Sequence, residues 1–384
     1  MTTNLHRDRT TWLVYFMLAF YAYCLNSFGP LTPFLRSELG ISYAVASLHF
    51  TAFALGILGA GLGGPWVIER IGRWRALWLG AFGMSAGAGL LLIGGDPLVT
   101  IAASFLMGLI GSLILAVMPA ALADRHGERR AIALSEANLL ASVISTAAPL
   151  AIGWFARTAL GWRPGLGLAL LAPIALYFVF RGGSTGDGRA TDVTAPRSTG
   201  SLPTRYWVFW AGLVLGVSIE FCMVFWSADF LETVRGLAKA DAAQAVSLFL
   251  VGMIVGRLVG SRLVVRFDTR AVVIGSLLIA GLGFGVYWLV PGPIAALTGL
   301  LVTGLGVAGL YPLIMALAIE AAGPNVTQAS ARATLASGVA ISILPLVLGR
   351  VADAVGIASA YGVVAALLVL TLVIIALARP RATV

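Results

Sequence analysis

The chain has 384 residues, of which 59% are hydrophobic and only 11% are charged. Soluble domains carry about 25% charged residues, so this composition excludes an ordinary soluble protein. The net charge of +9 does not indicate a nucleic-acid partner, because the basic residues occur in short clusters between apolar segments. We therefore expect a protein embedded in the lipid bilayer that binds no nucleic acid.

Apolar segments of about 20 residues, the length that a helix needs to cross a bilayer, recur along the whole sequence. Hydropathy, turn residues and charges predict an all-α membrane protein with twelve transmembrane helices. The predicted spans are residues 12–35, 43–67, 75–95, 98–122, 130–155, 163–181, 205–231, 240–264, 270–290, 293–319, 327–350 and 356–378.

Residues 181–205 are rich in Gly, Ser, Thr and Pro, which is typical of a flexible linker. They predict an N-terminal six-helix bundle at 1–181, a cytoplasmic linker at 182–204 and a C-terminal six-helix bundle at 205–384. With both termini in the cytoplasm, eighteen arginines fall in inner segments and six basic residues in outer segments. This bias predicts the cytoplasmic membrane with both termini inside.

The two halves align without gaps when the chain is shifted by 196 residues against itself. The shift pairs glycines, prolines and charges from the first span to the eleventh. Among the matches are Gly56 with Gly252, Arg70 with Arg266, Gly108 with Gly304, and "PLAIG" at 149–153 with "PLVLG" at 345–349. We interpret the halves as a duplicated unit with an axis along the membrane normal, which favours a solute site between the halves.

Twelve spans, a central linker and a 6+6 repeat resemble the major facilitator superfamily of secondary transporters. In that family, the loop between spans two and three reads roughly G-x-L-x-D-R-x-G-R-K. Here "PWVIERIGRW" at 65–74 keeps Arg70 and Arg73 and has Glu69 in place of the aspartate. The resemblance implies that Glu69 latches span two to span eleven, with Arg332 or a helix N-terminus as its partner.

The repeat gives a second candidate for a cytoplasmic gate. Glu136, at the inner end of span five, aligns with Arg332 of span eleven. Span five packs against span eight in the family, and span eight carries Arg257 and Arg262. A pair of Glu136 with either arginine would close the cytoplasmic side, although exposed pairs contribute little to stability.

Span seven, "GVSIEFCMVFWSADFL", and span ten, "GLGVAGLYPLIMAL", are similar to the fucose-permease-like branch of the family. Span four lacks the carboxylate that some sugar–proton members carry there. Pro149 and Gly153 are reminiscent of an antiporter motif, but Pro345 and Gly349 repeat the pair. We interpret both pairs as structural kinks.

Glu220 is the one charged residue between Tyr206 and Ala228, near the middle of span seven. A carboxylate at the bilayer centre costs about 2.5–3.5 kcal/mol on insertion scales. It therefore faces water, pairs with a cation or stays protonated. We expect it to bind the coupling proton or a hydroxylated solute; the alternative is a structural acid hydrogen-bonded to a neighbouring helix.

Other polar and aromatic side chains are candidates for a solute cavity. His49 lies toward the outer face, where its charge could respond to external pH, although a purely interfacial role is equally open. Asn and Ser can instead tie helices together, and aromatic residues can pack as well as line a cavity. The candidates are Asn26, His49, Phe53, Asn138, Ser142, Glu220, Trp226, Phe249 and Tyr311.

These patterns predict a monomeric transporter that moves a small molecule and uses no cofactor. The first hypothesis is proton-coupled symport of a hydroxylated, sugar-like or small organic solute, with sodium coupling still open. The second is a proton-coupled antiporter that exports a drug-like or metabolic compound. An enzyme or receptor is disfavoured because no span has clustered His, Cys, Asp or Glu, and the two cysteines have no metal-ligand spacing.

Overall fold

The computed structural model describes residues 6–181 and 201–378. Within these ranges the regular secondary structure is helical, with one 3₁₀ turn at Gly127–Arg129. The α-helices are α1 (Arg9–Leu39), α2 (Tyr43–Ile71), α3 (Arg73–Ile93), α4 (Pro97–Gly111), α5 (Leu113–His126), α6 (Arg130–Ala156), α7 (Arg163–Phe180), α8 (Thr204–Thr233), α9 (Lys239–Leu263), α10 (Thr269–Leu289), α11 (Pro293–Val307), α12 (Leu310–Ala322), α13 (Val326–Val355), α14 (Ile357–Ala360) and α15 (Gly362–Leu377).

The described residues contain eleven helical stretches that are long and apolar enough to cross a membrane. One of them, Pro97–Ala156, has 60 residues and would be about 90 Å long at 1.5 Å per residue, far more than one crossing of a 30 Å core needs. Gly127 interrupts it with a φ of 52°, a left-handed conformation that glycine adopts at low cost. This stretch therefore accounts for the predicted spans four and five.

The chain divides into two compact units. The N-terminal unit comprises the described parts of Met1–Ile41, Leu48–Val193 and Lys239–Gln244, and the C-terminal unit those of Ser42–Ser47, Thr194–Ala238 and Ala245–Val384. Most of the predicted linker, residues 182–200, lies outside the described residues. The boundaries 1–181, 182–204 and 205–384 stay a prediction.

Both units repeat the same close helix contacts, as the 196-residue shift predicts. A Cβ at Gly108 would overlap the carbonyl oxygen of Phe53, and a Cβ at Gly304 would overlap that of Phe249. These four residues are equivalent in pairs under the shift. Only glycine allows such a close approach of two helix backbones, so the duplicated sequence encodes a duplicated packing.

Spans four and ten are both broken at the same position of the repeat. Ser112 separates α4 from α5, and the equivalent residue, Ala308, follows α11. In the first break the amide of Ala116 donates to the carbonyl of Ser112 at 3.1 Å. In the second, residue 312 is a proline without an N–H, so this bond to the Ala308 carbonyl cannot form.

Candidate functional site

Glu220 lies in the middle of α8 and is half-buried. It occupies the same helix face as Gly216, one turn earlier, which contacts Leu310 of α12. Among the residues that the structure describes, no side chain or backbone group donates a hydrogen bond to its carboxylate. The alternative of a structural acid hydrogen-bonded to a neighbouring helix therefore has no partner in the described residues.

Arg257 of α9 supplies the positive charge that acts electrostatically on Glu220. Its side chain is exposed, although it follows the buried residues Leu250 and Met253, at 6% and 3% exposure, on one face of the helix. The exposed apolar side chains Val251 and Val255 lie on the opposite face. Arg257 is thus directed away from the face that is suited to lipid.

Tyr311 is the third polar candidate in the C-terminal unit. It is half-buried and follows Leu310, whose side chain contacts Gly216 one turn from Glu220. Its phenol group therefore lies within about two helical turns in height of the carboxylate.

The aromatic candidates are packing residues. Phe53 and Phe249 are 1% and 0% exposed, and Trp226 is also 0% exposed. The Trp226 indole donates from Nε1 to the carbonyl of Pro345 at 3.1 Å, which satisfies the polar atom of a buried ring. All three rings are buried in this conformation, and stacking on a solute stays a prediction.

His49 is also inside the N-terminal unit. It is 2% exposed, and its Nε2 lies 2.9 Å from the hydroxyl of Thr100 in α4. In this conformation His49 is therefore not at the interface, and its role in solute binding stays a prediction. Burial against α4 satisfies the imidazole instead.

The amide and hydroxyl candidates bond mainly to their own helices. Asn26 donates to the carbonyl of Ala22 at 3.0 Å, and Asn138 donates to Leu134 at 2.8 Å. Ser142 donates to the Asn138 carbonyl at 2.8 Å. Asn138 is exposed and Ser142 half-buried, so a solute role for these two stays a prediction.

Glu136 has partners in the N-terminal unit that the sequence did not indicate. Arg7 binds its carboxylate with two hydrogen bonds, from Nε at 2.8 Å and from Nη2 at 2.6 Å. The Tyr15 hydroxyl donates a third bond at 3.0 Å. The hydrogen bonds from Arg7 to Glu136 and the negative charge of this carboxylate raise the pKa of Arg7. Glu136 therefore anchors the segment before α1, and its pairing with Arg257 or Arg262 stays a prediction.

The remaining gate candidates lie near helix ends. Arg73 pairs with Asp124 of α5, and the guanidinium of Arg70 lies 4.8 Å from the ring centre of Trp66. Glu69 is exposed and, within the described ranges, has no ion pair. Arg262 and Arg332 are exposed as well. The latch between Glu69 and Arg332 stays a prediction.

Sequence analysis missed polar contacts at other helix ends. Asp353, two residues before the end of α13, accepts hydrogen bonds from the backbone amides of Tyr43 and Ala44 at 2.8 Å each. Arg157 at the end of α6 pairs with Asp241 in the first turn of α9. Asp229 of α8 is a fully buried carboxylate. Asp229 directly follows the apolar run that ends at Ala228, and this position in the sequence could have identified it as a carboxylate within the membrane.

An apolar cavity of about 280 Å³ lies in the N-terminal unit. Its lining includes Phe16 and Phe20 of α1, Ile144 of α6 and Leu176 of α7. Its lining contains no charged residue and none of the candidate residues, so it is not the candidate site. In the described residues, no three His, Cys, Asp or Glu side chains are grouped as metal ligands.

Two repeated units of membrane-spanning helices, with a carboxylate and an arginine inside one of them, define the class of polytopic secondary transporters. The profile of the Major Facilitator Superfamily matches residues 11–291 and 208–383. The chain belongs to this family, which confirms the resemblance and the fold class.

Curated relatives are transport and membrane proteins. The chain is 24% identical over 309 residues to the cyanate transport protein CynX of Escherichia coli K12, a match that covers 77% of each chain. It is 32% identical over 152 residues to a glucose/galactose transporter of Brucella abortus, across 39% of this chain and 36% of the relative. An uncharacterised transporter of the family from Yersinia pestis is 29% identical over 166 residues, and that match spans 43% of each chain, less than half.

Solved structures share the fold at low sequence identity. A variant of the peptide transporter POT superposes with a TM-score of 0.78 at 18% identity and covers 96% of this chain and 93% of its own. A variant of the nucleoside transporter NupG gives a TM-score of 0.76 at 13% identity, with 95% and 98% covered. These similarities show the all-helical family fold.

Proposed function

We propose that this protein is a proton-coupled symporter that moves a small hydroxylated or other small organic solute across the cytoplasmic membrane. It works as a monomer by alternating access, in which the two repeated halves rock around a shared solute site. Both termini lie in the cytoplasm, as the arginine distribution predicts. Glu220 binds the coupling proton.

The observation that carries this proposal is the state of Glu220. Its carboxylate is half-buried in the middle of a membrane helix, and no described residue donates a hydrogen bond to it. An ionisable residue within a membrane is costly and marks a functional site by default. A carboxylate that is neither hydrogen-bonded nor fully sealed can gain and lose a proton during a cycle.

The relatives support a small polar solute. One of them is described as a cyanate transport protein and another as a glucose/galactose transporter. Both substrates are small and polar. The longer match is to the cyanate protein, whereas the sugar transporter is matched over little more than one third of its length.

Proton-coupled export of a drug-like or metabolic compound is the second candidate function. The burial of His49, Trp226, Phe53 and Phe249 supports it, because fewer polar and aromatic groups then remain to recognise a sugar. Glu220 would serve in this case too, since an antiporter exchanges its substrate for a proton.

Purified protein in liposomes tests these proposals. An imposed pH gradient should drive solute accumulation in the wild type, and Glu220→Gln should abolish it while leaving solute exchange intact. Glu320→Gln at the exposed end of α12 is the matched control, since it makes the same change away from the site. Accumulation by Glu220→Gln at the wild-type rate would refute the coupling role.

A further inference from the structure

The height of Glu220 in the C-terminal unit follows from contacts between α8 and span ten. A Cβ on Gly212 would lie 3.7 Å from Ile314, and one on Gly216 would lie 3.4 Å from Leu310. Four residues forward along α8 thus correspond to four residues backward along α12, so the helices are antiparallel. The next turn brings Glu220 level with the residue one turn before Leu310, close to the break in span ten.

Arg257 reaches the same height from the other helix. A Cβ added to Gly256 would overlap the Leu305 carbonyl and the Cβ of Ala308, and Arg257 is the next residue. The guanidinium and the carboxylate therefore start from backbone positions that differ by about 3 Å along the helix axes.

The break in span ten adds polar backbone at this height. The Ala308 carbonyl lies between α11 and α12 and receives no bond from Pro312. Tyr311 is three residues beyond it. Irregular backbone at membrane depth is tolerated where it is buried in protein or lines a water-filled space. The break therefore contributes hydrogen-bond acceptors at the height of Arg257, whose guanidinium is positively charged.

The other helices packed against α8 bring little charge to this height. They are α11, α12, α13, α14 and α15. None of α11, α14 and α15 has a titratable residue. In α13, the backbone of Arg332 is level with Trp210, ten residues before Glu220, and Arg350 and Asp353 lie beyond Pro345, which is level with Trp226. Glu320 of α12 lies at its far end, and on α8 itself Cys222 is the nearest titratable neighbour.

We propose that Arg257 binds a small monovalent anion, such as a monocarboxylate, and that Glu220 is the counter-ion which this anion displaces. The inference rests on the proposed proton-coupled function and deepens it by naming the substrate class. Without substrate, the carboxylate and the guanidinium compensate each other's charge. When an anion binds the guanidinium, Glu220 loses its counter-charge and takes up one proton from water.

The charge balance gives this exchange a distinctive signature. One anion and one proton enter a site whose charges already cancel, so the loaded and the empty site have the same net charge. Because an uncompensated charge at membrane depth is costly, each ligand should bind more weakly without the other. Transport should therefore be electroneutral, and a membrane potential should not drive it.

Calorimetric titration of the full-length protein in nanodiscs tests the proposal. Acetate, L-lactate and benzoate are the anionic probes, with glucose and glycerol as neutral comparators, in two buffers of different ionisation enthalpy. We expect at least one of the anions to bind with uptake of about one proton per site. Arg257→Gln should weaken that affinity at least about tenfold, and Arg257→Lys should weaken it less because it retains the charge.

Matched variants separate a binding role from a structural one. Arg266→Gln, at an exposed position after α9, should bind the anion like the wild type. Glu220→Gln should bind it without proton uptake. A normal melting curve and elution profile of Arg257→Gln would show that this variant loses anion affinity without losing its fold. Retained binding by Arg257→Lys would show that a positive charge at this position is what the anion requires, even if Arg257→Gln did not fold.

Three results would overturn the inference. They are the absence of binding by all three anions, binding that is unchanged in Arg257→Gln, and anion binding by the wild type without proton uptake. Sugar uptake driven by a pH gradient, together with no anion binding, would overturn the substrate class and leave the proposed proton coupling intact. A protein for which neither sugar nor anion moves with protons would contradict the proposed function itself.

Discussion

Asp353 and Arg157 are 196 residues apart and occupy equivalent positions of the repeat. Each contacts the first turn of another helix, although the two side chains have opposite charges. Asp353 accepts hydrogen bonds from the amides of Tyr43 and Ala44 in the first turn of α2. A carboxylate suits this place because a helix N-terminus carries partial positive charge. Arg157 cannot cap α9 in the same way, so it pairs with Asp241, a carboxylate in that first turn.

Removal of the Asp353 carboxylate should loosen the start of α2. Asp353→Ala leaves two backbone amides without their acceptor, and loss of an N-terminal cap costs about 1 kcal/mol. Hydrogen exchange measured by mass spectrometry should become faster in the peptide that contains Tyr43 and Ala44. Asp353→Asn keeps one acceptor oxygen and should have a smaller effect. Equal exchange in the wild type and Asp353→Ala would show that the cap does not stabilise this turn.

The equivalent glycine contacts should be equally intolerant of substitution. Gly108→Ala and Gly304→Ala would each place a methyl group on a carbonyl oxygen of the facing helix, and overpacking of this kind costs about 1–3 kcal/mol. Gly275→Ala in α10 meets no atom within 4 Å and removes a poor helix former. We expect the first two variants to melt at lower temperature and the third to melt at or above the wild-type temperature.

That comparison also tests the repeat itself. If Gly108→Ala were tolerated and Gly304→Ala were not, the two contacts would not be energetically equivalent. The shared geometry would then be insufficient to establish equal packing in the two units.

Cysteine labelling should report whether water reaches Arg257. Cys24 and Cys222 are both 0% exposed, so the native protein should not react with a membrane-impermeant thiosulfonate. Arg257→Cys should react, whereas Met253→Cys, one turn away at a position that is 3% exposed, should not. Equal protection of both introduced cysteines would mean that Arg257 is sealed from solvent.

The sequence predicted the fold because the membrane restricts it so strongly. Apolar length defines the helices, and the match of Gly108 with Gly304 reflects contacts that only glycine permits. The candidate site was predicted less well. Periodicity does not tell a ring that lines a cavity from one that packs, so Trp226 remained ambiguous until its bond to Pro345 was seen.

The contacts of Glu136 in this conformation could not be predicted from the spans, because the segment that supplies Arg7 lies outside them. Helices differ in length, and α1 is preceded by a segment whose Arg7 folds back onto Glu136. Contacts between helices, such as that of Gly256 with Ala308, give the relative heights that a hydropathy profile does not contain.

The charges of the candidate site occur in one copy of the repeat alone. The positions equivalent to Glu220, Arg257 and Tyr311 hold Cys24, Gly61 and Leu115, while the contact glycines Gly108 and Gly304 are kept at equivalent positions of the two copies. Changing the protonation of the site therefore alters the electrostatic energy of one unit and leaves its twin unaffected at these positions. After duplication, the C-terminal unit could acquire these polar residues while both units kept the equivalent helix contacts.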